Sequence, residues 1–265
     1  APGRGPRVSA DDEPRPGVTR ILFGSCSKVD LLQPLWPHIV ARRPDLWIWG
    51  GDAIYADTIV GPLPHFQEST PEHIRDLYAQ QLAHPGYRQL LNASVPIIGT
   101  WDDHDFGIND GSKGYRHRVA SQAAFLDFIG EPLGSPRRTQ EGVYASHLFN
   151  FVDGSAGGAV LVVLLDLRFN KDPYSVGPDG DFLGEAQWAW LEQTLAASAA
   201  DVHIIMSSLQ FLQPREIGEN WNKFPRARRR LLNLLAKVKA PLLFSGDVHF
   251  AELAAGVDGK AAQPR

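Results

Sequence analysis

"DLWIWGGDAIYAD", residues 45–57, drives a run of apolar and aromatic side chains into two glycines and then places Asp52, Tyr55 and Asp57 within six positions. The apolar run reads as a strand. Gly50 and Gly51 allow backbone angles denied to other residues, Asp52 suits a turn or helix cap, and Tyr55 could be a core aromatic. Alone, the stretch is compatible with a strand that merely ends and turns. Its surroundings say more. "TRILFG", 19–24, is a second β-type run, and between the two lies "LLQPLWPHIVARR", 31–43, whose apolar spacing suits a helix interrupted by prolines. Strand, helix and strand in that order mark the crossover unit of a parallel or mixed sheet.

The same alternation continues along the chain. "STPEHIRDLYAQQLAHP", 69–85, opens on a Ser/Thr cap and reads as a helix. A strand follows at 95–101, a helical stretch near 115–129 and a strand around 143–151. "AVLVVLLDLR", 159–168, reads as a fully buried strand. "LGEAQWAWLEQTLAAS", 183–198, reads as an amphipathic helix with Trp188 and Leu191 on one face. A strand at 201–208, a helix at 224–238 and a last strand at 240–250 complete the order. Residues 1–18, rich in Pro, Gly and charge without apolar period, read as a flexible leader or extended arm, so the domain is expected over 19–265.

Bulk properties narrow the functional classes. With 265 residues, 43% hydrophobic and 21% charged, the chain suits one large domain with a substantial core. A net charge of −4 supplies no cationic field for nucleic acid, and no nucleic-acid partner is expected. The run "RARRR", 226–230, reads as the solvated face of a helix whose apolar face is Leu231, Leu234 and Leu235. No apolar run approaches the roughly 18–20 residues of a transmembrane helix. The chain begins at Ala1, which implies a processed or truncated start with no targeting signal in view. The single cysteine, Cys26, excludes an internal disulfide framework. It reads either as buried packing or as a reactive group.

Five strand-like runs end in polar residues: "ILFGSC", 21–26; "LWIWGGD", 46–52; "PIIGTWDDHD", 96–105; "HIIMSSLQ", 203–210; and "LLFSGDVH", 242–249. In open α/β sheets ligands bind beyond the carboxyl ends of the strands, so these residues are expected along one edge. Asp52, Asp103 and Asp247 offer hard oxygen donors suited to Ca²⁺, Mg²⁺ or Mn²⁺, whereas Cys26, Tyr55 and His249 offer a thiolate, a phenolate and an imidazole. That mixture suggests two unlike metal positions, with Asp52 placed to bridge them. Two metals roughly 3.5–4 Å apart serve in-line displacement at phosphorus. His104 could protonate a leaving alkoxide or belong to a solvated acidic turn. Arg168 could hold a phosphate bidentately or form a buried ion pair with Asp166. Lys171 reads as solvated.

Taken in order, "FGSCSK", "GGDAIYAD", "WDDHDFG", "LLDLRFNKDP", "LGEAQWAWLE", "FPRARRRLL" and "FSGDVHF" resemble the PhoD-like alkaline phosphatases of the calcineurin-like metallophosphoesterase superfamily, over about residues 19–254. The resemblance implies a four-layer α/β/β/α metallophosphoesterase sandwich of two mixed sheets. It implies Fe³⁺ on Cys26, Asp52, Tyr55 and His249, a second metal, Ca²⁺, on Asp103 and Asp247, and His104 near the scissile phosphate. Mg²⁺, Mn²⁺ or Zn²⁺ are the implied substitutes. The Asp-x-Arg at 166 and 168 matches a further family motif. The implied activity is hydrolysis of small phosphomonoesters, with phosphodiester or phospholipase-like specificity as the alternative, by a metal-activated hydroxide that releases inorganic phosphate. A relative that retains the fold and binds phosphate or metal without catalysis is a further alternative. A secreted or periplasmic location is implied as well. "SSLQF", 207–211, leaves open whether Ser208 or Gln210 faces the metals, and the end at "GKAAQPR" comes sooner after His249 than the resemblance leads one to expect.

Overall fold

The computed structural model describes residues 15–151, 157–212, 218–253, 256–257 and 260–261. In chain order the elements are β1 (Arg15–Val18), β2 (Ile21–Gly24), α1 (Trp36–Ala41), β3 (Leu46–Gly50), β4 (Thr58–Val60), β5 (His65–Gln67), α2 (Pro71–Ala83), α3 (Pro85–Asn92), β6 (Ile97–Thr100), α4 (Asp103–Phe106) and α5 (Arg118–Phe128). They continue with β7 (Ala145–Phe151), β8 (Ala159–Leu164), α6 (Gly184–Ala197), β9 (Val202–Met206), α7 (Pro225–Leu235), β10 (Pro241–Phe244), β11 (Gly256–Val257) and β12 (Lys260–Ala261).

Side-chain alternation along the central strands shows the layering. In β3, Leu46 and Ile48 join Ile98, Val160, Val162, Leu164, Ile204 and Met206 in a core between two sheets. Trp47 and Trp49, one residue out of phase, join Trp36, Ile74, Leu77, Tyr87, Leu90 and Phe125 from the helices on the outer face. β8 mirrors this: Leu161 and Val163 turn away from the sheet interface and pack with Trp188, Leu191, Leu195, Leu231 and Leu235 of α6 and α7. Successive residues of a strand face opposite ways, so strands apolar on both faces must be covered on both. The result is the expected helix, sheet, sheet, helix sandwich. Close approach is needed at Gly99, where a Cβ would lie 2.6 Å from Trp49 Cβ.

One sheet runs β1-β7-β8-β9-β10 and the other β2-β3-β6. Within these two sheets the expected mixing of strand directions is confined, among the described residues, to the antiparallel β7–β8 pair, so the three-stranded sheet is parallel throughout and not mixed. β2, β3 and β6 are all parallel, as are β8, β9 and β10. The short hairpin β4–β5 forms its own two-stranded sheet.

Residues 15–18, read as the end of the extended arm, form strand β1 beside β7, with Val18 buried. Residues 1–14 lie outside the described residues. Among the described residues no helix is long and apolar enough to cross a membrane.

Candidate metal centre at the strand ends

Each expected ligand follows closely on a strand. Cys26 lies two residues after β2, Asp52 two after β3, Asp103 three after β6, and Asp247 and His249 three and five after β10. The backbone turns sharply at four of them: φ is 60° at Cys26, 51° at Asp52, 71° at Asp247 and 55° at His249. Non-glycine residues hold such left-handed angles at a cost of order 1 kcal/mol each, and they concentrate at functional sites. Gly51, at φ 106°, shares the turn with Asp52; a Cβ there would lie 2.6 Å from Asp102 Cβ.

These turns bring both sheets to one site. Ligand atoms of Cys26, Asp52 and His249 lie within 4.8 Å of one another, as do those of Asp52, Asp103 and His104, and those of Asp102, Asp103 and Asp247. Tyr55 closes the first group through its hydroxyl, 2.7 Å from His249 Nε2. Asp52 belongs to the first two groups and Asp103 to the last two. All six expected ligands are therefore gathered, with Asp52 between the soft and the hard donors.

The donor set suits bound cations. Asp52 Oδ1, Asp102 Oδ2 and Asp103 Oδ1 are buried without a hydrogen-bond partner, and of the three only Asp103 Oδ1 forms an ion pair among the described residues, with Arg168 Nη2 at 3.6 Å; such burial costs free energy unless something positive meets the oxygens. Burial, then the Asp103, Asp102 and Cys26 charges, push the Asp52 carboxyl well above its usual range. Burial lifts Asp247 to about 6, with Asp103 adding to the rise and Arg168 opposing it. Burial also raises the Cys26 thiol, and burial with the nearby Asp52 raises the Tyr55 phenol. A cation would reverse each shift and hold these groups in their anionic forms.

His104 stands beside this cluster. Its Nδ1 is 2.6 Å from Asp57 Oδ1, and Asp57 Oδ2 accepts from Asn109 N at 2.8 Å. The imidazole ring packs 4.3 Å from that of Tyr55. Burial works against its cation, but the hydrogen bond to Asp57 and the charges of Asp103 and Asp57 outweigh it and raise its pKa. Asp57 thus places the proton on Nδ1 and leaves Nε2 for chemistry.

Three sequence readings require correction. Arg168 is fully buried, and its side chain engages Asp102 at 2.5 Å and Glu219 at 2.6 Å instead of Asp166. The Asp166 carboxylate accepts from the backbone N–H groups of Val143, Arg168 and Phe169 and shapes that turn. Lys171 is not solvated: it is buried, with Nζ 3.1 Å from Glu219, 4.0 Å from the Tyr174 ring centre and donating to Asp110 O. The "RARRR" run is only partly a solvated face, since Arg230 pairs with Glu185 and Glu192 and Arg228 lies against Phe211. Of the two candidates in "SSLQF", Ser208 reaches the centre's edge, donating to Asp102 Oδ1 at 2.9 Å.

Asp102, Glu219 and Asp105 escaped the sequence reading. Asp102 sits beside an aspartate that had the same claim, and Glu219 lies in a connection with no strand-end signal. Asp105 is the third acid of "WDDHD" and stands inside α4, closing its capping box with the N-cap Asp102. Its carboxylate accepts from Ile54 N at 3.2 Å, Asp102 N at 3.1 Å and Tyr78 OH at 3.0 Å, so it ties the loop of Asp52 and Tyr55 to the loop of Asp103. Asp105→Asn puts an amide where three donors converge. It is expected to weaken metal affinity by about 10–100-fold, as for other groups that orient ligands, measured by competition with a chromophoric chelator.

Comparison with known proteins identifies the relatives of this fold. The curated alkaline phosphatase D of Bacillus subtilis (strain 168) is 22% identical over 282 residues, covering 89% of this chain and 47% of that protein. The solved structure of PhoD superposes with a TM-score of 0.66 at 20% identity, covering 89% of this chain and 53% of the other, a likeness of fold. The chain thus spans about half the length of the relatives it matches. The PhoD-like phosphatase profile matches residues 21–260, from the first strand of the three-stranded sheet to beyond His249, and the chain belongs to that family.

Proposed function

We propose that the chain is a metal-dependent phosphoric ester hydrolase of alkaline phosphatase type, with iron held by Cys26, Asp52, Tyr55 and His249 and calcium by Asp52, Asp103 and Asp247. The observation that carries this reading is the pair of partnerless, buried oxygens of Asp52 and Asp102, with the Asp103 carboxylate, beside a thiol, a phenol and an imidazole. Family membership and the curated relative's name support it. Metals held there by Cys26, Asp52, Tyr55, His249, Asp103 and Asp247 would supply the Lewis acidity that phosphoester hydrolysis needs.

The chain's own residues supply the rest. Asp52 and Asp103 fix the donor positions across two loops. His104, held by Asp57, stands where a proton can pass from Nε2 to the departing alkoxide. Arg168 has no exposed surface, so its role is to offset the charge of Asp102 and Glu219 and keep the acidic cluster assembled. It acts as a positioning residue and does not bind the substrate.

Elemental analysis of the purified protein, paired with hydrolysis of p-nitrophenyl phosphate and bis(p-nitrophenyl) phosphate before and after chelation, tests this reading. Iron with calcium and chelator-sensitive turnover is the expected result, and the ratio of the two rates ranks monoester against diester. A protein that binds neither metal and hydrolyses neither ester after both metals are supplied sinks the proposal.

A further inference from the structure

The hairpin β4–β5 leaves the candidate centre through Asp57 and returns through Ser69. Both roots are tied down: Asp57 holds His104 and Asn109 N, and Ser69 N donates to Gly107 O at 2.8 Å. Between the roots, Ile59 and Phe66 are direct cross-strand partners and therefore project from the same face of the hairpin. Phe66 meets the centre, its ring 6.1 Å from the His104 ring. Yet Ile59 is 64% exposed and Phe66 40% exposed. A two-stranded hairpin gains little from displaying an apolar pair to water.

The placement says what covers that pair. The His104 ring lies 6.1 Å from that of Phe66 and 4.3 Å from that of Tyr55, and its ligand atom lies within 4.8 Å of those of Asp52 and Asp103. A phosphoryl group held at the cluster with its ester oxygen towards His104 would carry its organic substituent past that ring, beside which stand Phe66 and, on the same face of the hairpin, Ile59. The geometry points to the face formed by Ile59 and Phe66 as the recognition surface for that substituent, selecting phosphoesters whose alcohol is aromatic or otherwise apolar. This inference rests on the phosphoesterase reading above.

Calorimetric titration of the metal-loaded full chain with inorganic phosphate, methylphosphonate and phenylphosphonate separates the two ideas, because none of these is turned over. Phenylphosphonate is expected to bind about ten-fold more tightly than methylphosphonate, the gain from covering one phenyl ring. Phe66→Ala should bring the two within about three-fold while the affinity for inorganic phosphate, which carries no substituent, stays within about two-fold. Ile59→Ser should cut the preference by a smaller factor. Equal affinity of the wild type for the two phosphonates overturns the inference, as does a Phe66→Ala variant that weakens all three ligands alike, since the ring would then act by seating His104. A dimer in the wild type that Ile59→Ser dissociates, with the phosphonate preference intact, assigns the face to a second copy and overturns it too. Failure of the wild type to bind inorganic phosphate overturns both the phosphoesterase reading and the inference, whereas phosphate binding without phenyl preference overturns the inference alone.

Discussion

Asp52→Asn is expected to lower phosphoester hydrolysis by about 10³-fold or more and to reduce the bound content of both metals together. Among the described histidines, cysteine and acids, Asp52 alone belongs to both the Cys26–His249 group and the Asp103–His104 group. Its Oδ1 is buried without a partner, and its left-handed backbone at φ 51° leaves little freedom to re-aim a shorter or neutral substitute. An amide cannot bridge two cations as a carboxylate does, so loss at one position should be felt at the other. Elemental analysis of the variant beside Asp247→Asn separates bridging from ordinary ligation. Asp247 belongs only to the group with Asp102 and Asp103, and its replacement should spare iron. If Asp52→Asn retains one metal at full content, Asp52 is not the bridge.

The second large effect concerns stability. Arg168→Met should destabilise the protein by about 3–5 kcal/mol, because it leaves Asp102 and Glu219 buried without their shared counter-charge. At this chain length that lowers the melting temperature by about 10 °C. The Arg168 guanidinium and the Lys171 ammonium outweigh burial and hold the Glu219 carboxyl down to about 2, so Glu219 is ionised at neutral pH. Neutralising it should therefore compensate. The double variant Arg168→Met/Glu219→Gln is expected to recover part of the loss, and thermal unfolding of the four members of the cycle measures the coupling. Strict additivity would show that the ion pair does not join the loops carrying Asp102 and Glu219.

Much of the centre was legible because of a regularity of the chain itself. Apolar runs announce strands, and a parallel arrangement sends their carboxyl ends to one edge, so polar residues two or three positions beyond each run had to be neighbours. Cys26, Asp52, Asp103 and Asp247 follow that rule, and the structure brings them together with Tyr55 and His249. Arg168 and Lys171 were legible as charges but not as partners. Asp166, two residues away, seemed the natural mate of Arg168, yet it is consumed by three backbone N–H groups of its own turn. The true mates lie 66 residues before Arg168 and 51 after it. No local pattern marks Glu219, because a charge pair needs proximity in space and imposes no spacing along the chain.

The division between sequence and tertiary structure follows the range of the forces involved. The main strands of the two sheets, the longer helices, the Thr70 cap that accepts from His73 N and the residues that follow each main strand are local consequences of apolar period, capping and turn chemistry, so the linear chain determines them, whereas the β4–β5 hairpin and α3 carried no such signal. Which face each strand buries, which acid stands between two donor groups, which cation sits among carboxylates without touching water, and what the hairpin turns towards His104 depend on packing between segments far apart in the chain. Burial is a property of the assembled layers, and with it come the raised carboxyls, the partnerless oxygens and the enclosed guanidinium. Those features arise only once two sheets close on one another, because desolvation has no counterpart in the sequence.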